Sequence, residues 1–84
     1  MNRYWFEFED GDFPNGIKLG CGVTAFNYDD ALYLLNEKVF KGTKLPKIKN
    51  MVENIDLATL DAGHVLPNIS PPNVRGIWFP MGYN

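Results

Sequence analysis

The chain has 84 residues, of which 45% are apolar and 14% aromatic, with a net charge of −2. That is enough for one core and too little for two, and far from a disordered composition. The acidity argues against duplex nucleic acid as a partner, because phosphate neutralisation dominates such binding. No apolar run approaches the roughly 18 residues that suggest a membrane span.

The usual reinforcements of a small domain are missing. Cys21 is the only cysteine and His64 the only histidine, so neither an internal disulfide nor a structural zinc is expected. Self-association is the remaining route to added stability, and a homo-oligomer is expected. Glu7 stands where a signal peptide would carry its apolar stretch, and with the lone thiol this points to a cytoplasmic protein.

Residues 3–9 alternate, with Tyr4, Phe6 and Phe8 on one side and Arg3, Trp5, Glu7 and Glu9 on the other. That is the pattern of a half-buried strand. Asp10-Gly11-Asp12 and Pro14-Asn15-Gly16 are turn chemistry. A returning strand is expected over 17–26, with Ile17, Leu19, Cys21, Val23 and Ala25 facing inward. Its opposite row carries Lys18, Gly20, Gly22, Thr24 and Phe26.

Asn27 suits a helix N-cap, followed by Asp29 and Asp30 in the first turn. Ala31, Leu32, Leu35 and Val39 share a face at helical spacing, and Gly42 suits the C′ position. A helix over about 28–41 follows, laid on the hairpin. Residues 47–55 read equally as a short helix or a strand through Met51–Leu57. Residues 56–61 read as a turn or a single helical turn, and 64–69 as a short extended piece. Pro71-Pro72 imposes a loop, and Val74–Met81 is the last strand expected. The order implies a single α+β domain: a small two-layer sandwich, an antiparallel sheet of about 3–4 strands with one main helix.

Alternation puts Trp5 and Trp78 on the face away from the helix, beside the bare backbone of Gly20 and Gly22. Three arrangements are open: each indole shields a neighbouring glycine, the face packs on a second copy, or it forms a ligand shelf. With Trp78 inverted against Ile77, Phe79 and Met81, those three are expected to look inward. Residues 38–49 carry Lys38, Lys41, Lys44, Lys47 and Lys49 without an acid, a solvated face or a site for a small anion.

His64 is the one side chain suited to proton transfer near neutrality, with Asp61 three residues before it. Cys21, Thr24, Thr59 and Ser70 are the available nucleophiles, and none falls in a hydrolase motif. Gly20-Cys21-Gly22 lacks the third glycine of a dinucleotide loop. The tract 73–83 joins Arg75, three aromatics, two glycines and a proline. Arg75 suits a phosphate or carboxylate, unless it pairs with Asp56 or Asp61 within the fold.

The reading is a non-catalytic binding protein that sequesters an anionic, nucleotide-like small molecule, of a phage or bacterial accessory type. Arg75, Trp78, Trp5, His64, Asn73 and Tyr83 are its expected ligand-binding residues, with no catalytic residue, metal or cofactor. The alternative is a protein-binding inhibitor or immunity-type protein using its acidic and aromatic surface; a small hydrolase built on His64 comes third.

Overall fold

The computed structural model describes every residue except Asp10, Asp12, Asn15 and Asn84. The turns expected at Asp10, Asp12 and Asn15 therefore lie outside the described residues. Four antiparallel strands form one open sheet: β1 (Asn2–Phe8), β2 (Cys21–Ala25), β3 (Ile48–Glu53) and β4 (Gly76–Phe79), in the order β3-β1-β2-β4. Helix α1 (Tyr28–Leu34) continues as a π-helical turn over Leu35–Phe40 and covers one face.

The first strand is the one the alternation dictates. Tyr4, Phe6 and Phe8 join Val23, Ala31, Leu34, Leu35, Val39 and Ile77 in the helix-side core. The expected second strand is shorter than its apolar row. Ile17–Leu19 form a 3-10 turn, and pairing starts at Cys21, opposite Phe6. Gly20 lies between them at φ 128°, a backbone conformation that side chains rarely adopt.

The helix starts as its sequence demands. The Asn27 side chain accepts a bond of 2.8 Å from the Asp30 N–H, and Asp30 Oδ2 accepts one of 3.0 Å from the Phe26 N–H. This reciprocal arrangement is a variant of the capping box. Beyond Leu34 the helix widens, and the broader turn brings Leu35, Val39 and Phe40 onto the sheet together. Lys41, at φ 50°, and Gly42, at φ 83°, end it in left-handed conformations.

Residues 47–55 resolve as strand β3, paired on β1 with a bulge between Glu7 and Phe8. β3 and β4 occupy opposite edges of the sheet, so the chain between them must cross it. It crosses the face away from the helix, as 3-10 turns at Leu57–Thr59 and Leu66–Asn68. The extended piece expected over 64–69 is thus a turn followed by 3-10 helix, because Asp61 O accepts from both Val65 N and Leu66 N.

This crossing decides the fate of the two-tryptophan face. Trp5 is 5% exposed and Trp78 is fully buried, in a second core with Ile55, Val65 and Phe79, flanked by Leu57, Leu60 and Ile69. The indoles lie 5.9 Å apart. A Cβ on Gly20 would meet the Trp5 ring at 2.4 Å, and one on Gly22 the Trp78 ring at 2.5 Å. Of the three arrangements, the intramolecular one holds: each indole covers a glycine.

The expected inward set of the last strand needs correction. Gly22 pairs with Phe79 and Val23 with Ile77, so Trp78 is the extra residue of a bulge. The bulge inverts the alternation, and Trp78 and Phe79 both enter the second core while Ile77 enters the first. Met81 lies past the strand and is exposed.

Candidate functional site

Where β1 ends and β2 begins, three chain segments meet around a cleft of about 410 Å³. Gly16 and Leu19 form one wall from the 3-10 turn before β2. The stretch from Phe79 to Tyr83 forms the second, and His64 and Asn68 the third. Gly16 lets the first two walls close up: at φ 86°, it sits where an added Cβ would lie 2.8 Å from Pro80. The Phe79–Pro80 peptide is cis.

Asp61 fixes the histidine. Its Oδ1 accepts from the N–H of Gly63 at 2.7 Å and of His64 at 3.3 Å, and its Oδ2 lies 3.0 Å from His64 Nδ1. The bond to the imidazole, then the Gly63 N–H, holds the Asp61 carboxyl below the ordinary carboxylate range. With Nδ1 engaged, Nε2 is the ring nitrogen left to meet a ligand. Asn68 ties the walls together, as its side chain donates to His64 O at 3.0 Å and its carbonyl accepts from Met81 N at 3.1 Å.

Tyr83 lines the cleft and packs against the helix-side core. Burial, and then the nearness of Cys21, push its phenol above the ordinary range. Leu19 also borders a neighbouring depression of about 200 Å³ lined by Glu7, Phe8, Phe13, Lys18 and Lys49. The cleft thus joins rings and apolar side chains to a few hydrogen-bonding groups, with two ammonium groups beyond Leu19.

Of the six residues expected to bind ligand, the fold brings His64 and Tyr83 together here. Trp5 and Trp78 lie in the second core and line neither cavity. Asn73 is exposed in the loop before β4. Arg75 sits at the opposite end of the sheet, where β4 starts. Its Nε and Nη2 donate to Asp30 at 2.9 and 2.5 Å, and its guanidinium stacks 5.3 Å above the Phe26 ring. Asp30, a residue 45 positions away, takes the place that Asp56 or Asp61 held in the sequence reading.

Sequence reasoning missed Leu19, Asn68 and the turn at Pro80-Met81-Gly82. The proline and glycine flanking Met81 were the available signal, since such a pair ends a strand and turns the chain. Among the described residues no cluster of histidine, cysteine or carboxylates is placed to hold a metal. No described helix is long and apolar enough to cross a membrane. No family model matches the sequence, and no curated protein and no solved structure matches the chain.

Proposed function

We propose that this chain is a non-catalytic binding protein that sequesters a small, planar, anionic ligand of the nucleotide kind in the cleft between His64 and Tyr83. The observation that carries the reading is the convergence of His64, Asn68 and Tyr83 on a cavity of about 410 Å³ with walls from Leu19, Phe79 and Pro80. Its volume falls within the usual range for small-molecule sites, about 300–1,000 Å³. Ring faces and aliphatic walls suit a flat base. His64 Nε2 and Asn68 offer hydrogen bonds to its edge, the Tyr83 ring lines the wall, and Lys18 and Lys49, with Glu7 in the same depression, stand on the side where an anionic group would project.

Binding without turnover is favoured by the company His64 keeps. Asp61 orients the imidazole as it would a general base, but the described lining offers no serine, threonine or cysteine for it to activate. Cys21 is fully buried and burial pushes its thiol far up, which suits a core side chain and not a nucleophile.

The test is a melting and calorimetric panel of nucleosides, nucleoside monophosphates and cyclic dinucleotides. One phosphate-bearing class should raise the melting temperature and be recovered unchanged by mass spectrometry. The rise should vanish in Tyr83→Ala and shrink in His64→Ala. A panel without any shift, or a shift that survives both substitutions together, overturns the reading.

A further inference from the structure

The two edges of the sheet are finished differently. The outer edge of β4 is closed by the crossing segment: the Ser70 N–H donates to Trp78 O at 2.8 Å, and just past the strand the Met81 N–H donates to Asn68 O at 3.1 Å. β3 is the other edge. Among the described residues no backbone bond outside its ladder with β1 reaches Met51, Val52 or Glu53. Which groups it turns outward follows from the bonds that flank that ladder. The Glu9 N–H donates to Lys47 O at 2.9 Å, and Arg3 O accepts from the Ile55 N–H at 3.1 Å, so β1 bonds β3 through its odd-numbered residues. Val52 and Asn50, opposite Trp5 and Glu7, therefore direct their N–H and C=O groups to β1, and Met51 and Glu53 direct theirs away from the sheet. An open edge of this kind is a template for a further strand.

The side chains select the strand that fits it. Met51 and Glu53 stand on the helix side, opposite Phe6 and Tyr4, and Met51 is half-buried against the helix-side core. From residue 44 to 56 the charges change sign once, with Lys44, Lys47 and Lys49 followed by Glu53 and Asp56. Laid antiparallel on a second copy, Met51 opposite Met51, the strand sets Lys49 opposite Glu53, twice by symmetry. Opposite charges directly across a ladder stabilise it and like charges oppose it; parallel pairing in register would set like on like. The groups of β1 run the other way. Glu7 and Glu9 stand beside the lysines, with Glu9 Oε2 3.6 Å from Lys47 Nζ, and Arg3 and the Met1 ammonium stand toward the acids. They lie one strand further in, by about 4.8 Å, and the exposed Lys47–Glu9 pair is weak, so the residues that face each other across the new ladder set its register. The bulge between Glu7 and Phe8 confines regular pairing to the stretch from Lys49 to Glu53, which keeps the association weak.

We infer that β3 is the contact strand of a symmetric homodimer, in which the β3 strands of two copies pair antiparallel about Met51 and join the two sheets into one. The N–H and C=O of Met51 bond the partner's Met51, and Lys49 faces the partner's Glu53. The two Met51 side chains meet on the helix side and carry the helix-side core across the joint. Lys49 also borders the depression beyond Leu19, so association is measured without ligand.

Sedimentation equilibrium of the full chain from micromolar to millimolar concentration should show a monomer–dimer system. Lys49→Glu and Glu53→Lys should each raise the dissociation constant roughly tenfold or more, because each turns both facing pairs into like charges. An equimolar mixture of the two variants should associate as the wild type does, since each then meets its complement. A merely structural effect of either substitution would give no such restoration. In the wild type, amide exchange at Met51 and Glu53 should slow as concentration rises, while Val52 stays as it was. Val74→Asp, exposed beside the other edge, should leave the dissociation constant unchanged. A monomer throughout the range overturns the inference, as does a dimer indifferent to both charge reversals or a mixture no tighter than its components. Exchange at Met51 and Glu53 that ignores concentration, or equal weakening by Val74→Asp, overturns it as well.

Discussion

Gly22 has no side chain because the Trp78 ring occupies the space a Cβ would fill, at 2.5 Å. The ring cannot yield easily, since Trp78 is fully buried in the second core. Gly22→Ala should therefore destabilise the domain by about 1–3 kcal/mol, read as a fall of about 4–8 °C in melting temperature per kcal/mol. A midpoint equal to that of the wild type would refute the packing described for the second core. Arg75 works at the same scale. Because its side chain is 38% exposed, solvent screening keeps the contribution of its pair with Asp30 small. Arg75→Lys should lower the melting temperature slightly and leave binding at the cleft unchanged, which separates it from Tyr83→Ala.

The carboxyls of Asp30 and Asp61 also set an acid limit. Both titrate below the ordinary 3.8 in the folded chain, Asp30 chiefly through Arg75 and Asp61 chiefly through His64. On unfolding they return toward that value, so the unfolded chain binds protons first. Their contribution is present above about pH 4 and is lost as pH falls through the lower folded values. Urea midpoints measured between about pH 2 and 5 should fall with acidity, and Arg75→Leu should flatten that slope by removing the main cause acting on Asp30. An unchanged slope would mean that the pair does not hold in solution.

Among the elements, the helix carries the most exposed accounting. Leu35 is fully buried at the junction of the α-helical and π-helical turns and touches the sheet through the helix-side core. Leu35→Ala should cost about 2–5 kcal/mol, a large share of the stability open to so small a domain. Asn27→Ala removes the bond to the Asp30 N–H and should cost about 1 kcal/mol. Chemical denaturation measures both, and the order of the two effects is itself a check: a cap that outweighs Leu35 would mean that the helix is docked differently. The crossing segment between β3 and β4 has no comparable periodicity. It holds its place through turns at Asp56 and Asp61 and through the apolar contacts of Ile55, Leu57, Leu60, Val65 and Ile69.

The whole molecule places the cleft at one end of the sheet and the exposed Phe26, beneath the Arg75 guanidinium, at the other. A ligand that binds the folded chain should raise its melting temperature with concentration, and at a hundred times its dissociation constant the gain is about 2.7 kcal/mol. That gain should be the same in Phe26→Asp as in the wild type, because the substitution lies at the far end. A loss of ligand response in Phe26→Asp would show that the two ends are coupled.

The amino-acid sequence by itself determined β1, the capped helix and the α+β class, because those depend on local rules: alternation along one strand, a side-chain cap, and apolar spacing along one helical face. It also placed the indoles beside glycines, since parity along a strand is a local property. Only the tertiary structure decided what lay over them. Parity fixes which face a residue joins but not what covers that face, and here 22 residues between β3 and β4 had to cross the sheet and bury it. The bulge at Trp78 moved Phe79 to the same face as the indole, and the Trp78 ring fills the space that a Cβ on Gly22 would need. Arg75 found Asp30, and His64 found Tyr83, through strand pairing that joins residues far apart in the chain. Long-range pairing is set by how the two cores fill, and no local pattern in the sequence records it.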